Sequence, residues 1–138
     1  MNLLLEIITP EKVIYKDEAD EIVAPTVNGE ITILPNHVNL FTQIIPGELI
    51  VRKGSINQSL AVAGGFLEID NNKISILSEY AIRAQDIEIA RAEEAKKRAE
   101  KLMQEKVSEA DFKIAQGELL KSILQLRVAT KYKHRKPL

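Results

Sequence analysis

Residues 86–136, DIEIARAEEAKKRAEKLMQEKVSEADFKIAQGELLKSILQLRVATKYKHRK, decide the fold class. Ile89, Ala92, Ala95, Ala99 and Leu102 recur every three or four residues with charges elsewhere, and Phe112, Ala115, Leu119, Ile123 and Leu126 do the same. This is the period of two helices, each with one apolar stripe. Between them, Ser108-Glu109-Ala110-Asp111 carries the Ser-x-x-acid spacing whose two side chains can serve the unpaired N–H groups of a new helix. The expectation is an antiparallel helical hairpin. Its seam is mostly alanine, which permits close approach but buries little apolar surface. Three alanine methyls at roughly 0.8 kcal/mol per buried carbon give about 2–3 kcal/mol. That holds a hairpin and leaves it open to a better partner.

The second helix carries a further apolar row, Leu120, Leu124 and Val128, about 100–180° around from the Leu119 row at 100° per residue. Two readings stand. Surface leucines scattered singly mean nothing. Three in register on a strongly charged helix point instead to a second binding surface, and we favour that reading.

Composition bounds the rest. The 138 residues are 45% hydrophobic, as expected of one or two small folded domains. Absence of cysteine excludes disulfides and thiolate metal sites, and two histidines, His37 and His134, cannot build a histidine-rich metal cage. No apolar run reaches the length of a membrane span. The first ten residues lack a basic start and place Glu6 inside their apolar run, so no signal peptide and a cytoplasm-facing location are expected. Net charge is only −1 but unevenly spread. Residues 1–84 hold six Lys/Arg against eleven Asp/Glu (−5), and residues 85–138 hold thirteen against nine (+4). No acid follows Glu118, whereas Lys121, Arg127, Lys131, Lys133, Arg135 and Lys136 do. That asymmetry suits an acidic partner for the C-terminal end.

The first eighty residues are punctuated like an all-β domain. Short β-runs at 3–9, 13–15, 21–24, 31–34, 48–52, 56–63, 66–69 and 73–77 are separated by Pro10, Pro25, Pro46-Gly47, Gly54 and Gly64-Gly65. Asn28-Gly29 is the strongest hairpin signal, with φ > 0 expected at both turn positions. Asp70-Asn71-Asn72 is a further turn of residues that tolerate the left-handed region. Strands at this spacing predict a sandwich or flattened barrel, ending at Ser78, with Tyr80 to Gln85 as the linker into the helices. The fold class is therefore α+β: an N-terminal β-sandwich over 1–84, then a two-helix hairpin and basic tail over 85–138.

Nothing in the residues argues for an enzyme. Gly64-Gly65 lacks the Lys-Ser/Thr of a phosphate loop and opens no helix. His37, in Pro35-Asn36-His37, has no nucleophile near it in sequence, which favours a structural or contact role. Lys96-Lys97-Arg98 interleaves with Glu93, Glu94 and Glu100 at helical spacing, as an ion-paired surface does. A hydrolase on a β-sandwich would need a nucleophile–base pair that is not visible. A nucleic-acid-binding module using the basic tail would need more aromatics than Tyr132 and a recognisable fold motif.

At Gly29-Glu30-Ile31-Thr32-Ile33-Leu34-Pro35-Asn36-His37 and Ala63-Gly64-Gly65-Phe66-Leu67-Glu68-Ile69 the chain resembles the epsilon subunits of F-type ATP synthases, of the bacterial and chloroplast type. The likeness continues through Ile74-Ser75-Ile76-Leu77, Ala81-Ile82, Asp86-Ile87-Glu88, Arg91-Ala92 and Leu126-Arg127-Val128, covering Leu3 to about Lys131. The resemblance implies a non-catalytic rotor subunit of the central stalk. In that family the sandwich binds the gamma subunit and rests on the ring of c subunits, helping to couple proton or sodium passage to rotation. The C-terminal helices lie folded or extend towards the alpha/beta catalytic head, where they inhibit ATP hydrolysis. The implied location is peripheral, on the cytoplasmic face of the bacterial membrane or the thylakoid stromal face, with no nucleic-acid partner and no metal.

Site residues follow from the same resemblance. Glu30 falls where family members approach the c-ring, and His37 in the loop facing gamma. The family commonly has proline two residues after this histidine, where this chain has Asn39, which implies a looser loop. For the inhibition so implied, the second apolar row (Leu120, Leu124, Val128) and the acid-free basic end (Lys121, Arg127, Lys131) are the expected contacts. Some members bind ATP through an Ile-Asp-x-x-Arg-Ala segment with further arginines on both helices. Here Ile87, Glu88, Arg91 and Ala92 match that segment with Glu for Asp, and Arg98 is kept. Lys121 and Gln125 stand in place of arginines, and neither supplies a guanidinium fork. The implied regulatory ATP binding is accordingly weak, and no tightly held cofactor is expected.

Overall fold

A computed structural model describes residues 2–135. The chain divides into two compact units, at Arg83/Ala84.

Unit one is built from ten strands: β1 (Leu3–Ile8), β2 (Val13–Ala19), β3 (Glu21–Thr26), β4 (Gly29–Ile33), β5 (Leu40–Gln43), β6 (Gly47–Lys53), β7 (Ile56–Ala63), β8 (Phe66–Asp70), β9 (Lys73–Leu77) and β10 (Tyr80–Arg83). They form two five-stranded sheets, in the orders β2-β1-β9-β8-β5 and β10-β7-β6-β3-β4. Strands β1 and β9 pair in parallel; the remaining pairs are antiparallel. Because successive side chains alternate faces, each strand sends every second residue inwards. Leu3, Leu5 and Ile7 of β1, Leu67 and Ile69 of β8, and Ile74 and Ile76 of β9 join Ile22, Ile33, Leu49, Val51, Leu60 and Val62 of the other sheet in one core. Twelve large side chains in this unit are under 2% exposed. Each contributes roughly 1.5–3 kcal/mol on burial, so this unit carries a core of its own.

Three local expectations change. Asn28-Gly29 is not a two-residue turn with positive φ at both positions. Thr26 pairs with Gly29, and of the two only Gly29 has positive φ, at 100°. The Thr26 hydroxyl holds this turn, donating to the Gly29 carbonyl (2.7 Å) and accepting from the Asn28 N–H (3.2 Å). The turn with two left-handed residues is Asn71-Asn72 instead, at φ 48° and 66°, between the paired Asp70 and Lys73. Second, Tyr80–Arg83 is no linker: it pairs with β7 from Leu60 to Ala63. Third, Leu40–Gln43, outside the expected β-runs, is the edge strand beside β8. At the crossing from one sheet to the other, Gly65 has φ 105°, and a Cβ there would sit 1.8 Å from the Leu77 carbonyl oxygen. Only glycine fits.

Unit two opens with a 3-10 turn at Ala84–Asp86, followed by α1 (Ile89–Gln104) and α2 (Glu109–Arg135). The helices pack on each other, and α2 also meets the 3-10 turn. Ser108 caps α2 as its spacing predicted, its hydroxyl accepting from the Asp111 N–H at 3.1 Å. Small residues supply much of what the two helices bury. Ala92 and Ala99 on α1, and Ala115, Ser122 and Ala129 on α2, are buried at seven-residue intervals. Leu102 and Phe112, expected in the seam, are each 37% exposed. Ser122 is buried without cost because its hydroxyl donates to the Glu118 carbonyl at 2.8 Å. Residues 136–138 of the basic tail lie outside the described residues.

Candidate functional site

The outer face of the sheet holding β1 carries Glu6, Lys16, Glu68, Asp70 and Lys73 over most of its area but is apolar at one end. Register places Gln43, Phe66, Leu77, Ile8 and Val13 in one row across it. Phe66 is 47% exposed and Leu77 56%, and Phe41, on β5, is 65% exposed. The Phe41 and Phe66 rings stack with centroids 5.4 Å apart and planes 16° from parallel. A groove of about 480 Å³ runs beside them, lined by Ile8, Thr9, Pro10, Gln43, Gly64, Gly65, Phe66, Leu77, Ser78 and Glu79. Contiguous exposed apolar side chains of this kind mark docking surfaces. Sequence reasoning missed Phe41, Phe66 and Leu77. The alternation of Phe66-Leu67-Glu68-Ile69 was visible, but not that Phe66 points away from the core.

The loop leading into β5 lies beside the β8–β9 turn, at the end of β5 away from the Gln43–Phe66 pair. Pro35 and Asn36 occupy the two central positions of a type II turn: Asn36 has φ 69°, and the His37 N–H donates to the Leu34 carbonyl at 3.1 Å. His37 is half-buried, and its Nδ1 donates to the Val38 carbonyl at 2.7 Å, so the ring braces its own loop. Val38 is the outward residue, 76% exposed. Asn39 does not leave the loop loose. Its Oδ1 accepts from the Asn71 N–H at 3.1 Å, while the Asn36 N–H donates to Asn72 Oδ1 at 2.6 Å. Glu30 lies exposed on β4, opposite Pro25, at the edge of the other sheet.

Several charged groups elsewhere on the sandwich are paired. Lys53 Nζ meets Asp17 Oδ2 at 2.9 Å, and this bond to Lys53 holds the Asp17 carboxyl below its ordinary range and raises Lys53. Burial pushes the Tyr15 hydroxyl up, with the Asp17 charge acting in the same direction. The Arg83 guanidinium lies 5.8 Å from the Tyr15 ring centre and donates to the Ile14 carbonyl at 3.0 Å.

In the helical unit a second cavity, about 320 Å³, is lined by Arg91, Ala92, Glu94, Ala95, Arg98, Glu118, Lys121, Ser122 and Gln125. It brings together Arg91, Ala92, Arg98 and Lys121 from the expected nucleotide set. Ile87 and Glu88 are not in its lining. Ile87 is buried, and Glu88 makes an exposed ion pair with Arg91 at 3.2 Å. Glu94 and Glu118 set two carboxylates among the three cations, a feature the resemblance did not suggest. The second apolar row of α2 is split: Leu120 is 62% exposed, Leu124 5% and Val128 1%. Lys121, Arg127 and Lys131 are exposed. Among the described residues no cluster of three or more His, Cys, Asp or Glu could hold a metal ion, and no helix is long and apolar enough to cross a membrane.

Known proteins share this layout. Residues 2–84 match the family described as ATP synthase, Delta/Epsilon chain, beta-sandwich domain, and residues 85–130 match its long alpha-helix domain. An ATP synthase epsilon chain of Desulforamulus reducens is 42% identical, over 91% of this chain and 95% of that one. Another, of Herpetosiphon aurantiacus, is 39% identical over 94% and 95%. The fold recurs in a chain of the Euglena gracilis mitochondrial ATP synthase structure (OSCP/F1/c-ring), with a TM-score of 0.68 at 19% identity over 96% of this chain and 80% of that one. The chain thus belongs to the ATP synthase delta/epsilon family, whose epsilon chains are non-catalytic subunits of that complex.

Proposed function

We propose that this chain is a rotor subunit in the central stalk of a proton-translocating F-type ATP synthase. Its sandwich docks on the gamma subunit, its β4 edge with Glu30 approaches the c-ring, and its helical unit is an arm that inhibits ATP hydrolysis at the alpha/beta head. It works peripherally, on the cytoplasmic face of the bacterial membrane or the thylakoid stromal face. The observation that carries this reading is the exposed apolar row with the stacked Phe41–Phe66 pair, on a unit that already has a complete core. Such a face has no use in an isolated protein and suits a permanent neighbour. The fold likeness to chains from F1/c-ring and central-stalk assemblies supports the same reading.

Size-exclusion co-elution of the full chain with a purified gamma subunit tests it. Phe66→Ser with Leu77→Ser removes two side chains about half exposed in the free chain, at roughly 1–1.5 kcal/mol each on docking. Affinity for gamma should fall about 30- to 150-fold, while Glu30→Gln leaves it unchanged. Failure of the wild-type chain to bind gamma would overturn the assignment.

The cavity of the helical unit supports a secondary reading, weak regulatory binding of ATP. Arg91, Arg98 and Lys121 converge there, but Glu94 and Glu118 offset most of their charge and Gln125 adds none. Calorimetry with ATP should detect binding only at high nucleotide concentration. Tight micromolar binding would show that the carboxylates do not oppose the phosphates.

A further inference from the structure

The loop at 34–39 is held by a device that neither composition nor resemblance suggested. Two hydrogen bonds cross 32 and 36 residues of chain: Asn71 N–H to Asn39 Oδ1 at 3.1 Å, and Asn36 N–H to Asn72 Oδ1 at 2.6 Å. A third, longer one runs back from Asn72 Nδ2 to Asn36 Oδ1 at 3.4 Å. Three of the four asparagines sit in the left-handed region, at φ 69°, 48° and 66°. A non-glycine residue holds that conformation at a cost, and asparagine holds it best because its side chain can bond locally. Here the side chains bond to each other's segment instead. The β8–β9 turn and the loop before β5 thereby become one rigid corner.

What that corner presents is Val38, 76% exposed, three residues before Phe41 and at the end of β5 away from the Gln43–Phe66 pair. His37 is turned into the loop as a brace. We propose that Asn39 and Asn72 are positioning residues for the docking face: they lock the loop in its bound shape, with Val38 outward, before the partner arrives. This rests on the reading of that face as the gamma-binding surface. A contact loop ordered in advance does not pay its ordering entropy on association. In this chain two side-chain bonds do what a proline at position 39 would do by restricting the backbone of Val38.

The experiment compares four full-length chains for affinity to purified gamma subunit: wild type, Asn39→Ala, Asn39→Pro and Asn72→Gly. Glycine at 72 keeps the positive φ and removes only the side-chain bonds. Asn39→Ala should weaken binding about fivefold and Asn72→Gly about tenfold, with thermal midpoints close to wild type. Asn39→Pro should bind like wild type. Hydrogen exchange supplies the second readout: the Asn71 amide is protected in the wild type and exposed in Asn39→Ala. If Asn39→Ala frees that amide yet binds gamma as the wild type does, the positioning role is refuted and the docking face stands. If Asn39→Pro binds as poorly as Asn39→Ala, preorganisation is refuted. If the wild type itself does not bind, the docking face falls and this inference with it.

Discussion

Leu120 and Leu124 lie one helical turn apart on α2, and the structure separates what each can do. Leu124 is 5% exposed and Leu120 is 62% exposed. Replacing Leu124 by serine would damage the folded unit by about 2–5 kcal/mol, confounding any effect on the extended arm. Leu120→Ser touches little that is buried and should leave the unfolding free energy within about 0.5 kcal/mol of wild type. If the arm inhibits by laying its apolar row against neighbouring subunits, however, Leu120 still has most of its surface to bury. Sixty per cent of a full leucine burial is about 1–2 kcal/mol, or a 5- to 30-fold loss of inhibitory affinity. The charge alternative, Arg127→Ala with Lys131→Ala, removes exposed ion pairs worth about 0–1 kcal/mol each, and less as salt rises. The assay is ATP hydrolysis by a reconstituted alpha/beta/gamma head titrated with each chain. Leu120→Ser should shift the inhibition curve further than the charge variant at physiological salt. If the charge variant releases hydrolysis and Leu120→Ser does not, the apolar row is incidental to inhibition.

Gly65→Ala should cost about 4 kcal/mol or more in urea unfolding, because its Cβ would collide with the Leu77 carbonyl. Gly54→Ala, at φ 60° in open space, should cost only about 1–2 kcal/mol in the same assay. Gly117→Ala should stabilise α2 by up to about 1 kcal/mol, read as slower amide exchange along the helix, since a Cβ there meets nothing within 4 Å. The raised Tyr15 hydroxyl means the unfolded chain releases that proton at lower pH than the folded chain does. Its stabilising effect is therefore complete below about pH 10 and lost as pH rises through the folded value, so alkaline unfolding should be shallower in Tyr15→Phe.

The fold was legible wherever one residue type has one reason to be where it is. Alternation set the strands, because only one face of each could enter the core, and Ser108 announced the start of α2 through its hydroxyl. Misreadings arose where pairing decides. Asn28-Gly29 and Asn71-Asn72 both suit left-handed turns, and the register of β3 on β4 assigns that geometry to the second pair alone. Leu102 and Phe112 fit the helical period but are each 37% exposed, whereas alanine and serine every seven residues are buried. The candidate site was less legible still. The resemblance pointed to Glu30 and His37 one residue at a time, whereas the outward row is assembled from five strands, and the locking asparagines lie up to 36 residues from their partners. No local pattern records such meetings.

Buried apolar surface is divided unevenly between the units, in the direction that the proposed base and arm would need. The sandwich buries Leu, Ile and Val from both sheets, and its outward apolar row adds nothing to that core. It can therefore be covered by a partner without any change inside. In the helical unit the side chains buried at seven-residue spacing are alanine and serine, which offer little apolar surface to lose. Low-stability elements open first, on the scale of their own contacts rather than of the whole chain. A shift between two nearly complete populations takes about 5.5 kcal/mol of differential binding. Leu120, Leu124 and Val128, taken up by a new partner at roughly 1.5–3 kcal/mol each, reach that figure only if the two buried ones exchange one covered environment for a better one. Leu120 is thus the single member whose burial is pure gain, and its substitution is the sharpest probe of whether the arm moves at all.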